Sequence, residues 1–137
     1  IAGMPTLLMH GDLLCTDDVE YQQARQMLRN PAFIADFLAK PLAERHALAQ
    51  AYRQRSGEAT SLKAEDIMDV NATAVADVLR QAGVHRLIHG HTHRPACHDL
   101  TLDGAPAQRW VLAEWHAHAG EVLVADANGL HREPITP

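Results

Sequence analysis

The stretch "LIHGHTHRP", residues 87–95, sets three imidazoles into five positions behind a short apolar run. An apolar run that closes on glycine predicts the end of a buried strand. Pro95 keeps the segment from continuing as a central strand. In extended backbone, residues i and i+2 share a side, so His91 and His93 are expected to face the same way. Gly90 is expected to supply the sharp turn at the strand end. Neutral imidazole suits zinc, manganese, iron and nickel. His89, one strand-step before His91, reads either as a structural residue or as a group behind the ligands. The motif His-x-His is weak in a chain with ten histidines; its place after an apolar strand strengthens it.

A second stretch repeats the arrangement. "LLMHGD", residues 7–12, predicts a strand over Thr6 to Met9, covered on both faces, with His10 at its carboxyl end and Asp12 capping the turn. Parallel neighbouring strands would bring both histidine groups to one edge of a sheet. "NATAVADVLRQAGV", residues 71–84, is an amphipathic helix with Asn71 or Thr73 as cap, Val75, Val78 and Leu79 as its stripe, and Gly83 as its stop. A helix followed by a strand points to a layered α/β protein. From Ala96 onward the pattern is β, with hairpin signals at Asp103-Gly104 and Asn128-Gly129. His116 and His118 fall in that tail and read as a surface loop.

Between the two histidine strands, residues 18–64 read as helices with proline corners. Thr16, Asp17 or Asp18 can cap the first, and Asn30-Pro31 ends it and begins the next. Phe33, Ile34, Phe37 and Leu38 form an apolar stripe, with local packing the first reading of the two phenylalanines. After Pro41, residues 42–56 favour helix strongly. A loop from Gly57 and a short helix from Lys63 to Met68 are expected next. From Glu20 to Lys63 there are seven Lys/Arg against four Asp/Glu, a local +3 in a chain of net charge −5. That segment can steer an anionic substrate or touch an anionic membrane, or simply be a solvated face. The net charge argues against nucleic acid as the partner.

At 137 residues the chain suits one domain or part of one. It opens "IAGMPTLLMHGD", without an initiating Met and straight into strand, as expected of a stretch from mid-protein. No secretory signal and no long apolar run is present. Cys15 and Cys97 are expected to be small buried hydrophobes in a reducing compartment.

"LLMHGD" and "LIHGHTHRP" together resemble the C-terminal half of the calcineurin-like metallophosphoesterases. "HGDLLCTDDVEYQ", "LRNP" and "LKAEDIMDVN" narrow the resemblance to the UDP-2,3-diacylglucosamine pyrophosphatases of lipid A biosynthesis in Gram-negative bacteria. The resemblance spans nearly the whole chain. It implies an α/β fold, the C-terminal half of an αββα sandwich, with residues 18–64 as a helical lid. It implies a site for two divalent metals, most often Mn2+, that hydrolyses UDP-2,3-diacylglucosamine to UMP and 2,3-diacylglucosamine 1-phosphate. It implies His10 and His91 as ligands of one metal and His93 as a ligand of the other. Asp18, Tyr21, Arg53, Ser56, Lys63 and His91 would contact substrate, and the helices around Phe33 and Phe37 would cover its acyl chains. The place implied is the cytoplasmic face of the inner membrane, peripherally bound.

The family's Asp-x-His and Gly-Asn motifs are absent from these residues. The resemblance therefore implies, as partner, a missing N-terminal half of the same protein, and this chain alone is expected to be inactive. Two other readings stand beside this one. One is a broader metallophosphoesterase acting on nucleotides; the other is a non-catalytic metal-binding module.

Overall fold

The computed structural model describes the backbone of residues 1–61 and 67–136. The chain forms two compact units, Ile1–Cys15 with Val70–Pro137, and Thr16–Asp69.

In the first unit, β1 (Leu7–Met9) and β2 (Arg86–His89) lie side by side in parallel, with Met9 opposite His89. The strands β3 (Ala96–Leu102) and β4 (Ala105–Val111) form a hairpin, and β4 also runs parallel to β2. The order across the sheet is β1-β2-β4-β3. A separate hairpin pairs β5 (Gly120–Asp126) with β6 (Gly129–Ile135). The helix α4 (Ala72–Ala82) lays Val75 and Leu79 against Leu14, Leu87, Leu102 and Ala107, which form the buried core. β1 departs from the expectation of cover on both faces: it is one of the two edge strands, and Leu8 is 61% exposed while Ile88 of β2 is 7% exposed.

Local chemistry sets the ends of these elements as expected. Asn71 Oδ1 accepts from Thr73 N and Ala74 N (2.9 and 3.1 Å), and Gly83 takes the left-handed turn that ends α4. Asn71 N also donates to Leu14 O at 2.8 Å, joining the cap to the loop that follows β1. Replacing Asn71 by Ala is expected to cost about 1 kcal/mol, read by urea unfolding; an unchanged midpoint would mean the cap contributes nothing here. Asp103 and Gly104, both at positive φ, form the two-residue turn between β3 and β4. Arg80 donates to the Asp103 carboxylate at 2.9–3.1 Å, and this hydrogen bond holds that carboxyl below its ordinary range. Arg132 of β6 reaches across the same unit. It pairs with Glu121, donates to Ala96 O and Val111 O (2.8 and 2.6 Å), and sits over the Trp110 ring.

The second unit holds α1 (Val19–Leu28), α2 (Pro31–Ala39) and α3 (Leu42–Ser61). Asp18 caps α1 and Asn30 caps α2, with Pro31 at the start. Phe33 stacks near Phe37 (6.3 Å between centroids) and meets Tyr52 edge-on (6.4 Å), so the pair packs locally. α3 continues through Gly57 to Ser61, where a loop was expected. A single glycine costs a helix only about 1 kcal/mol, which the strong helix formers before it outweigh. The expected short helix from Lys63 to Met68 lies largely outside the described residues, and Ile67 and Met68 form a turn. Cys15 is buried as expected, but Cys97 is exposed, because it sits on the outer side of an alternating strand. Neither cysteine is in a disulfide. No helix among the described residues is long and apolar enough to cross a membrane.

Candidate functional site

The parallel pairing of β1 with β2 carries His10 and the segment from Gly90 onward out of the same sheet edge. Gly90 N donates to His10 O at 3.0 Å, joining the two segments just past the strand ends. The His10 and His91 rings then lie 4.9 Å apart between centroids, tilted by 56°.

The backbone of the second motif is not the extended segment that the i, i+2 argument assumes. β2 stops at His89, and His91 and His93 both take left-handed conformations, φ 67° and 53°. Gly90 is not among the residues at positive φ. The turn therefore falls on the histidines themselves. Such conformations cost on the order of 1 kcal/mol or more each and collect at functional sites. His93 Nδ1 lies 3.5 Å from Glu114 Oε2, and His116 Nε2 lies 3.9 Å from the same oxygen. His116 and His118 are exposed, as a surface loop requires.

Asp12, expected to cap the turn, instead faces His10. Its Oδ1 lies 3.0 Å from His10 Nδ1, and its side chain is 6% exposed. Leu14 N donates to Gly11 O at 3.0 Å, so a backbone bond already closes that turn.

Beneath the site lies His89, fully buried. Its Nε2 is 3.2 Å from Arg109 Nη1 and its Nδ1 is 2.9 Å from Gly90 O. A guanidinium only donates and a carbonyl only accepts. His89 is therefore the Nδ1–H tautomer, accepting from Arg109 and donating to Gly90 O. This gives it the structural role that the sequence left open. Gly11 fits over it at φ 107°, and a Cβ there would come within 2.8 Å of His89 Nδ1.

The expected metal ligands are thus brought together in part. His10 meets His91, and His93 stands with Glu114. Among the described residues, no three His, Cys, Asp or Glu side chains gather closely enough to hold a metal ion by themselves. The donor set fits imidazole-binding metals, and the carboxylate behind His10 is a common feature of such ligands.

In the helical unit, Asp18, Tyr21, Arg53 and Ser56 line one pocket of about 580 Å3. Four of the expected substrate contacts are therefore gathered in one place; Lys63 lies outside the described residues. Arg25, Arg29 and Arg55 also line the pocket. Guanidinium groups bind phosphate oxygens through paired charge-assisted hydrogen bonds. Asp18 serves α1 as well, accepting from Tyr21 N at 3.0 Å.

Sequence patterning gives Asp12 only a turn and points to neither Arg109 nor Glu114. "HGD" was a usable signal for Asp12, since it sets a carboxylate two residues beyond a strand-end histidine. Arg109 and Glu114 reach the site only through β4 and the loop after it, which no local pattern reveals.

No protein-family model matches the chain. Among curated proteins, it is 54% identical over 128 residues to a UDP-2,3-diacylglucosamine hydrolase of Cellvibrio japonicus, covering 93% of this chain and 53% of the relative. It is 57% identical over 113 residues to the hydrolase of the same name in Nitrosococcus oceani, covering 82% of this chain and 45% of the relative. It is 50% identical over 133 residues to the one in Pseudomonas aeruginosa, covering 97% of this chain and 55% of the relative. The chain spans about half the length of the curated relatives it matches.

Proposed function

We propose that this chain supplies part of a two-metal hydrolase that cleaves the pyrophosphate bond of UDP-2,3-diacylglucosamine, releasing UMP and 2,3-diacylglucosamine 1-phosphate in lipid A biosynthesis. The observation that carries the reading is the approach of His10 to His91 at the ends of two parallel strands, in a chain about half identical to hydrolases of that name.

In this reading His10 and His91 ligate one metal and His93 the other, with manganese the metal proposed. Bound metals would neutralise the pyrophosphate and lower the pKa of an attacking water. The chain's own residues bind and orient. Arg53, Ser56, Tyr21 and Asp18 hold the nucleotide-sugar and phosphate region in the helical pocket, with Lys63 assigned to the same task. Residues 18–64 act as the lid, with the helices around Phe33 and Phe37 over the acyl chains. The remaining metal ligands would come from an N-terminal half carrying Asp-x-His and Gly-Asn motifs. The local +3 of the lid suits an anionic substrate and peripheral attachment to the cytoplasmic face of the inner membrane.

The test compares UMP release from UDP-2,3-diacylglucosamine with hydrolysis of p-nitrophenyl phosphate, using a polypeptide that joins this chain to such an N-terminal half. A strong preference for the lipid nucleotide, abolished by EDTA and restored by Mn2+, is expected. Equal activity on both substrates would replace this reading with a broad phosphoesterase. Activity insensitive to chelation would remove the metals. The 137-residue chain by itself is expected to show no turnover.

A further inference from the structure

We propose that Asp12 is a positioning residue for His10, fixing the imidazole in the tautomer that leaves Nε2 as the donor to a divalent cation. The inference rests on the metal reading above and adds to it a residue and a task.

The geometry separates the two groups clearly. The Asp12 side chain is 6% exposed, while the His10 side chain is 61% exposed. A buried carboxylate thus holds the inner nitrogen of a ring whose body lies at the surface. An ionised carboxylate only accepts, so Nδ1 donates and the neutral ring keeps its lone pair on Nε2. Without that bond the neutral ring would populate both tautomers and turn more freely about its side-chain torsions.

The backbone beneath leaves Asp12 little freedom. Gly11, between the two residues, lies against the His89 ring at a distance that no Cβ could share. His89 is held in turn by Arg109 and by Gly90 O. His10 O accepts from Gly90 N, and Leu14 N closes the turn on Gly11 O. The path of residues 10–12 is therefore set by backbone and by His89. What remains adjustable at His10 is its side chain, and that is what Asp12 constrains. Carboxylates placed behind metal-binding histidines in this way contribute about 10–100-fold to metal affinity.

The experiment is 15N-resolved NMR of the histidine rings in the protein, with Mn2+ as the probe. The His10 signals are expected to report the Nδ1–H form. Asp12→Asn, which keeps an accepting oxygen in the same shape, should retain that form. Asp12→Ala should shift the ring toward a tautomer mixture. The Mn2+ concentration that broadens the His10 and His91 signals should rise about 10–100-fold in Asp12→Ala and less in Asp12→Asn. In a His10→Ala background, Asp12→Ala should no longer change the His91 response. An unaltered tautomer in Asp12→Ala overturns the proposal, as does an unaltered Mn2+ requirement. If Mn2+ broadens neither ring, the metal reading fails and takes with it the purpose assigned to Asp12. The tautomer result would still report whether Asp12 holds the ring.

Discussion

In a polypeptide that joins this chain to an N-terminal half carrying Asp-x-His and Gly-Asn motifs, replacing His91 by Asn is expected to lower turnover of UDP-2,3-diacylglucosamine by orders of magnitude while leaving the fold intact. His91 sits at φ 67°, a conformation that asparagine tolerates better than alanine does. The Asn variant therefore removes the imidazole without adding the backbone strain that His91→Ala would bring. Its ring is the one that meets His10 at 4.9 Å, so its loss would leave His10 without its neighbour at the sheet edge. The check is steady-state turnover at saturating Mn2+, alongside thermal unfolding of each variant. Wild-type turnover in a folded His91→Asn protein would exclude His91 from the site. A loss recovered at higher Mn2+ would place its effect in metal binding rather than in the chemical step.

Gly11→Ala is expected to destabilise the protein by about 2–6 kcal/mol. Two effects combine. The first is strain, because φ 107° is a region that L side chains rarely adopt, at about 1–3 kcal/mol. The second is a collision. The new Cβ would lie 2.8 Å from His89 Nδ1 and 3.1 Å from Gly90 O, and such overpacking costs about 1–3 kcal/mol. His89 cannot move aside cheaply, since it is fully buried and bonded at both ring nitrogens. Denaturant unfolding measures the loss. A shift under about 0.5 kcal/mol, the size of an ordinary surface substitution, would show that the packing over His89 yields easily.

Much of the architecture was legible locally. Asn71 and Gly83 bracket α4, Pro31 starts α2, and Asp103-Gly104 turns the β3–β4 hairpin, because caps and turns depend on residues within one or two turns of each other. The strand-end histidines were legible for a similar reason: an apolar run that ends at His-Gly or Gly-His marks its own carboxyl end. Other features were out of reach. The exposure of Leu8 goes with β1 being an edge strand, a property of the whole sheet. The extension of α3 past Gly57 came from the helix formers before it rather than from the glycine.

The sequence by itself determined that His10 and His91 would each follow the end of a strand, that α4 would separate those strands, and that β1 and β2 could therefore run in parallel and deliver both rings to one edge. Periodicity, caps and breakers act over short spans and can be read in order along the chain. Only the tertiary structure decided what lies behind the rings. It turned His91 and His93 left-handed, folded the Asp12 carboxylate onto His10, and buried His89 between Arg109 and Gly90. Those contacts pair groups as far apart as residues 89 and 109. Their partners are set by how strands pack and by the need of buried polar atoms for hydrogen bonds, which no short stretch of sequence encodes.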